Sequence, residues 1–171
     1  MIHLTTPLRE EAVLSLQPGD AVEISGWILC GRDAVLPKVL EMIREGSIRD
    51  LGIDLEGQVV FHTAVSPAGV GPTSSNKLEI ESSIAPLSAA GVRLHLGKGA
   101  LHPETVCALE EHHAVYAVIP PVTALLGKKT LEQRVLAFPE LGMEALHLIK
   151  ADRFPAIIGA ARGRSIYDEV L

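Results

Sequence analysis

Aromatic residues are scarce in this chain, with three Phe, two Tyr and one Trp among 171 residues. A core must therefore come from Val, Leu, Ile and Ala, and a hydrophobic content of 47% supplies it. That content excludes wholesale disorder. Cysteine is scarcer still. Cys30 and Cys107 are too few for a disulfide framework and too far apart for a compact zinc motif. They also fall short of the three or four thiolates that hold an iron–sulfur cluster. Basic residues are outnumbered, 15 Lys plus Arg against 21 Asp plus Glu, for a net charge of −6. Without a basic stripe the chain is not a general binder of nucleic acid or of anionic membranes. Long apolar runs are missing too. The longest, Ala114 to Leu126, is broken by Pro120 and Pro121 and is too short to span a bilayer. The N-terminal segment from Met1 to Glu11 lacks the charged and apolar regions of a secretory signal, so a cytoplasmic location is expected.

What the chain does have is regular punctuation by glycine and proline, the mark of strand–loop–helix alternation. Residues Ala21 to Leu29 read as a strand, Cys30 to Asp33 as its loop, and a helix begins near Leu36 with Pro37 in its first turn. Gln58 to Val65 is a second strand, emptying into a glycine-rich loop from Ser66 to Lys77. A helix from Leu78 to Ala90 then ends at Gly91. Val92 to Leu96 is a third strand, followed by Gly97-Lys98-Gly99 and a helix from Pro103 to His112. Ala114 to Ile119 is a fourth. The tail offers three strands, Glu132 to Phe138, Glu144 to Ala151 and Phe154 to Ala160, with no long helix between them. The tail strands suggest an antiparallel layer or edge, so the expected fold is one α/β domain over 1–171 with a mixed second sheet.

Ligands of open α/β sheets sit beyond the carboxyl ends of the strands. The loops expected there carry one cation each beside glycines: Arg32, Lys77 and Lys98. If their strands are parallel neighbours, three positive charges meet on one rim of an acidic molecule. That arrangement suits a small di- or tricarboxylate, with Arg32 as a bidentate fork and the lysines as point charges. Taken singly, each cation is equally readable as a solvated loop residue. Thr73, Ser74 and Ser75 offer hydroxyls that either bind a carboxylate and move a proton or simply cap turns. Cys30 stands at the same rim as a possible thiolate. Cys107 reads as a small core residue beside Val106 and Leu109. His62 and His95 read as core or edge residues of strands, and no histidine pair has metal-ligand spacing within a helix.

These loops resemble a known pattern. Pro18-Gly19-Asp20, Ser25-Gly26 and Gly31-Arg32-Asp33-Ala34 are similar to G-D-x-V-x-x-S-G-x-I-x-x-x-R-D-A. Gly71-Pro72-Thr73-Ser74-Ser75-Asn76-Lys77-Leu78 resembles G-P-T-T/S-S-x-R-M, and Gly97-Lys98-Gly99 resembles a G-K-G element. Glu140-Leu141-Gly142-Met143-Glu144-Ala145 and Asp152-Arg153-Phe154-Pro155-Ala156 resemble E-L-G-M-E-A and D-F-P-A. The pattern belongs to the class I, iron–sulfur-dependent fumarate hydratase and L(+)-tartrate dehydratase family, in its C-terminal domain or separate beta subunit.

The resemblance implies an α/β fold, a swivelling β/β/α three-layer domain with a parallel sheet and a smaller antiparallel sheet. It implies a partner, the alpha subunit, holding a 4Fe-4S cluster, with no metal ligand in this chain, and hence a hetero-oligomer. The implied reaction is reversible hydration of a small dicarboxylate of fumarate/malate or tartrate type. By position, Thr73 matches the family's proton acceptor, Arg32 and Lys98 its carboxylate-binding cations, and Lys77 the place of a carboxylate-binding arginine. The chain departs from the pattern at Lys77, at Leu36 where a histidine is usual, and at Pro120-Pro121 where two glycines are usual. A divergent, non-catalytic anion-binding or assembly module of the same fold is the alternative.

Overall fold

The computed structural model of the chain describes residues 1–73, 77–120 and 123–168, with backbone alone for 72, 73, 77–80 and 123. It begins with a strand the punctuation does not mark, β1 (Ile2–Thr5), and a one-turn helix α1 (Glu10–Leu14). Then follow β2 (Ala21–Cys30), α2 (Leu36–Glu45), β3 (Val59–Phe61), β4 (Thr63–Ser66), β5 (Gly69–Thr73) and α3 (Lys77–Ala89). The second half holds β6 (Leu94–Gly97), α4 (Pro103–Glu111), β7 (Val115–Val118), α5 (Thr123–Lys128), β8 (Thr130–Ala137), β9 (Leu146–Ala161) and β10 (Arg164–Ser165).

Strands β2, β3, β6 and β7 are consecutive parallel neighbours, and β9 pairs antiparallel with both β7 and β2. The pairings therefore run in a closed circuit. Strand side chains alternate between faces, so one set points into the circuit and the other outward. Val22, Ile24, Ile28, Phe61, Leu94, Leu96, Ile149 and Phe154 pack inside it as one buried cluster. Outside, Leu29 and Val60 meet Val39 of α2 and Leu87 of α3, while Tyr116 and Ala160 meet Ile84 of α3 and Leu109 of α4. Each such aliphatic or Phe side chain contributes about 1.5–3 kcal/mol through burial. The scarcity of aromatics thus costs the interior little.

Three expectations are corrected. The tail does not form a separate antiparallel sheet. The strands expected at Glu144 to Ala151 and Phe154 to Ala160 are instead one sixteen-residue β9 that starts only at Leu146, after a 3-10 turn ending at Glu144. It pairs with β2 along one stretch and β7 along another. Asp152 and Arg153 break the side-chain alternation without ending the strand. Arg153 takes φ 54°, its N–H donates to Ser25 Oγ at 2.9 Å, and the register with β2 shifts there. Gly26, at φ +107°, absorbs the same irregularity on β2, where a Cβ would lie 2.3 Å from Thr6 Oγ1. Finally, the glycine-rich segment is in part a hairpin. Val70 lies opposite Val65, and β4–β5 is the small antiparallel sheet. Fold class is therefore mixed α/β, with one large mixed sheet and one two-stranded sheet.

Candidate functional site

Cys30, Phe61 and Leu96 stand level across β2, β3 and β6. Arg32, Thr63 and Lys98 each lie two residues beyond that row, at the carboxyl ends of three adjacent parallel strands. Neighbouring strands are about 4.8 Å apart, so the Arg32 and Lys98 loops leave the sheet about 10 Å from one another. Backbone bonds fix both exits. Gly31 N–H donates to Phe61 O at 3.1 Å, His62 N–H to Leu96 O at 3.1 Å, and Ile119 N–H to Gly97 O at 3.0 Å. Val35 and Leu36 then donate to Arg32 O, which starts α2 directly behind the arginine. Thr73 closes β5 opposite Thr63, so its backbone belongs to the same rim, and Lys77 is the first residue of α3. The side chains of Thr73 and Lys77, and all of Ser74 and Ser75, lie outside the described residues.

Lys98 is exposed on its loop. The loop is shaped from below by Tyr116, whose Oη donates to Gly99 O at 3.1 Å. A Cβ at Gly97 would stand 3.2 Å from the tyrosine ring and crowd it. Glu81 of α3 fixes the next stretch. It accepts the His102 N–H at 2.8 Å, His102 Nδ1 at 2.7 Å and the Thr105 hydroxyl at 2.6 Å. Burial alone would push the Glu81 carboxyl up, but the Thr105 and His102 hydrogen bonds and the His102 charge hold it below its ordinary value. The N-terminus of α4 is thereby tied to α3.

Arg32 is not a lone cation. Its guanidinium donates to the Glu144 carboxylate, brought in by the 3-10 turn Pro139–Glu144, and each side chain is a little over a quarter exposed. An incoming carboxylate would share that guanidinium with Glu144 or displace it. Glu144 was missed as a site residue because it lies 112 positions from Arg32. The only signal for it was its place in the Glu140 to Ala145 motif.

Beneath the rim, His62 and His95 form a buried pair, with Nε2 of the first 3.1 Å from Nδ1 of the second. His95 Nε2 is 2.9 Å from Ser88 Oγ of α3, while His62 Nδ1 has no hydrogen-bond partner among the described residues. Burial lowers the His62 pKa to about 4, and burial plus the charge of His62 holds His95 well below the ordinary range. Both rings are neutral near pH 7. The expectation of buried strand residues holds for His95 of β6, whereas His62, equally buried, sits between β3 and β4.

Neither cysteine has the expected character. Cys30 is fully buried inside the sheet, and burial pushes its thiol up, so it is no rim thiolate. Cys107 is exposed on α4, because Val106 and Leu109 take the buried face. Among the described residues no helix is long and apolar enough to cross a membrane.

Residues 1–170 match the family described as Fumarase C-terminus. The chain is 27% identical over 167 residues to the L(+)-tartrate dehydratase subunit beta of Escherichia coli (strain K12), covering 91% of this chain and 80% of that one. It is 28% identical over 168 residues to the anaerobic class I fumarate hydratase of the same strain, covering 92% of this chain and 30% of that enzyme.

Proposed function

Because the chain belongs to the Fumarase C-terminus family, we propose that it is the beta subunit of a hydro-lyase acting on a small dicarboxylate of fumarate/malate or tartrate type. The observation that carries this reading is the family match along nearly the whole chain. The rim beyond β2, β3 and β6 supplies the binding chemistry. In this reading residues 1–171 act as one domain of the swivelling β/β/α kind, working in the cytoplasm within a hetero-oligomer.

The family's 4Fe-4S cluster does not fit the donors of this chain. Cys30 is enclosed with its thiol held protonated, Cys107 is exposed on a different element, and no group of three His, Cys, Asp or Glu among the described residues is placed to hold a metal. We assign the cluster to the alpha subunit. This chain's own contribution is to bind and orient the substrate and to manage one proton. Arg32 and Lys98 take carboxylates, Arg32 while sharing Glu144, and Lys77 adds a third positive charge. Thr73 exchanges the proton on the carbon next to the one that gains or loses hydroxyl. An alcohol is a weak base at its ordinary pKa, so the cations Lys77 and Lys98 must favour its alkoxide.

The test is anaerobic co-expression with a cluster-bearing alpha subunit, followed by a hydratase assay on fumarate and on tartrate. Turnover that needs both chains supports the reading. A stable complex that binds dicarboxylate without turning it over would favour a non-catalytic module.

A further inference from the structure

Among the described residues, β8 pairs on one side only, with β9, and its other edge has no strand partner. Edge strands offer a row of backbone donors and acceptors to any chain able to add a strand. β8 is unusual in also exposing both of its faces. Leu131 is 60% exposed and Val135 49%, and the residues between them are exposed as well. Register shifts occur near each end, yet Glu132 to Val135 pair with β9 without interruption.

The order of residues along this edge is self-complementary. We propose that β8 is the seat of a homodimer, pairing antiparallel with β8 of a second copy about a two-fold axis at Gln133. In that register Glu132 lies opposite Arg134 of the second copy, and the same pair recurs by symmetry. Leu131 and Val135 lie opposite one another on the flanks, and Gln133 meets itself. A two-fold contact requires a surface that complements itself, with position i facing j and j facing i, and this run of five residues meets that requirement in both charge and hydrophobicity. No other register sets acid against base and apolar against apolar across all of them.

The side chains concerned are only loosely engaged within their own chain. Glu132 reaches Lys150 at 3.9 Å, and Arg134 lies over the Trp27 ring at 5.1 Å. Gln133 is held by its side-chain bond to Ser66 O at 2.7 Å, which steadies the residue at the axis. The large sheet would continue from one copy into the next. The proposal does not depend on the hydro-lyase reading.

Charge reversal with mixing provides the test, read by analytical ultracentrifugation of the full chain from micromolar to millimolar concentration. Wild type should move from one to two copies as concentration rises. Glu132→Lys and Arg134→Glu should each weaken self-association roughly tenfold or more, because each sets like charges opposite one another twice. Mixing these two variants should restore the dimer. In the mixed pair the introduced lysine faces the introduced glutamate, and the unaltered Arg134 of one copy faces the unaltered Glu132 of the other. The double variant should self-associate like wild type. Because the mixing arm regains binding, poor folding of one variant cannot imitate it. A wild type that stays monomeric throughout, or a dimer insensitive to both substitutions, would overturn the proposal. A monomer whose capture by the alpha subunit is lost in the two variants would also overturn it, assigning this edge to that subunit.

Discussion

A buried imidazole with one nitrogen unpartnered among the described residues gives His62 a legible effect on stability. Its folded pKa of about 4 lies below the ordinary 6.5. Between those values the unfolded chain takes up a proton that the folded chain does not, so stability is full above pH 6.5 and falls as pH drops toward 4. The loss approaches on the order of 3 kcal/mol at the low end. His62→Phe should remove the His62 share of that acid slope and leave the share of His95, measured by urea unfolding. At pH 7 it should cost about 1–3 kcal/mol by stripping His95 of a partner. An unchanged acid slope would show that His62 is not the titrating group. Two more residues test the proposed chemistry. Lys98→Ala should weaken dicarboxylate binding in the assembled enzyme by about 1.5–3 kcal/mol, seen as a raised KM. Thr73→Val should lower kcat and leave KM nearly unchanged, the pattern for a group used in the chemical step. At this scale the sequence shows residue types but not partners. Arg32 could be placed at a strand end from its neighbours, but its Glu144 partner depends on a turn from the far end of the chain. The burial of His62 against His95 follows from packing alone.

At the level of elements, punctuation was informative and pairing was not. Pro37 and Pro103 lie at the starts of α2 and α4 as their chemistry demands, and Gly46 takes the left-handed conformation that ends α2. The reach of β9 was hidden, because Asp152 and Arg153 read as a break in local pattern, and only pairing with β2 keeps the strand extended through them. Glycines made β5 look like loop, although hairpin pairing needs little from its side chains. The tie between α3 and α4 is the element-scale device most open to test. Glu81→Ala removes the acceptor for the His102 N–H and the Thr105 hydroxyl. It should cost about 1–3 kcal/mol in thermal or urea unfolding at pH 7. Since the folded pKa of Glu81 is lowered, its contribution is present above the ordinary carboxylate value and fades as pH falls below it. The difference between wild type and Glu81→Ala should therefore shrink in acid. A difference that stays constant with pH would mean that packing, not the carboxylate, joins the two helices.

For the whole molecule, the proposed function asks how a charged rim on this chain would select a substrate in a site that the proposed alpha subunit completes. In that reading Lys77 is the proposed carboxylate-binding position where the residue differs from the arginine of the pattern the chain resembles. Lysine keeps the positive charge but cannot clamp both oxygens of a carboxylate in one plane, as a guanidinium does. Looser orientation of the far carboxylate penalises a reaction that needs a near-attack geometry, and it tolerates a substrate of different length or with an added hydroxyl. Lys77→Arg, assayed in the complex with its alpha subunit, should therefore shift relative kcat/KM among malate, tartrate and a methyl-substituted malate, with the gain falling on malate. If arginine changes all three alike, Lys77 supplies charge and no orientation. The preference would then have to arise from Leu36, which is buried at the start of α2 close behind Arg32, or from the alpha subunit.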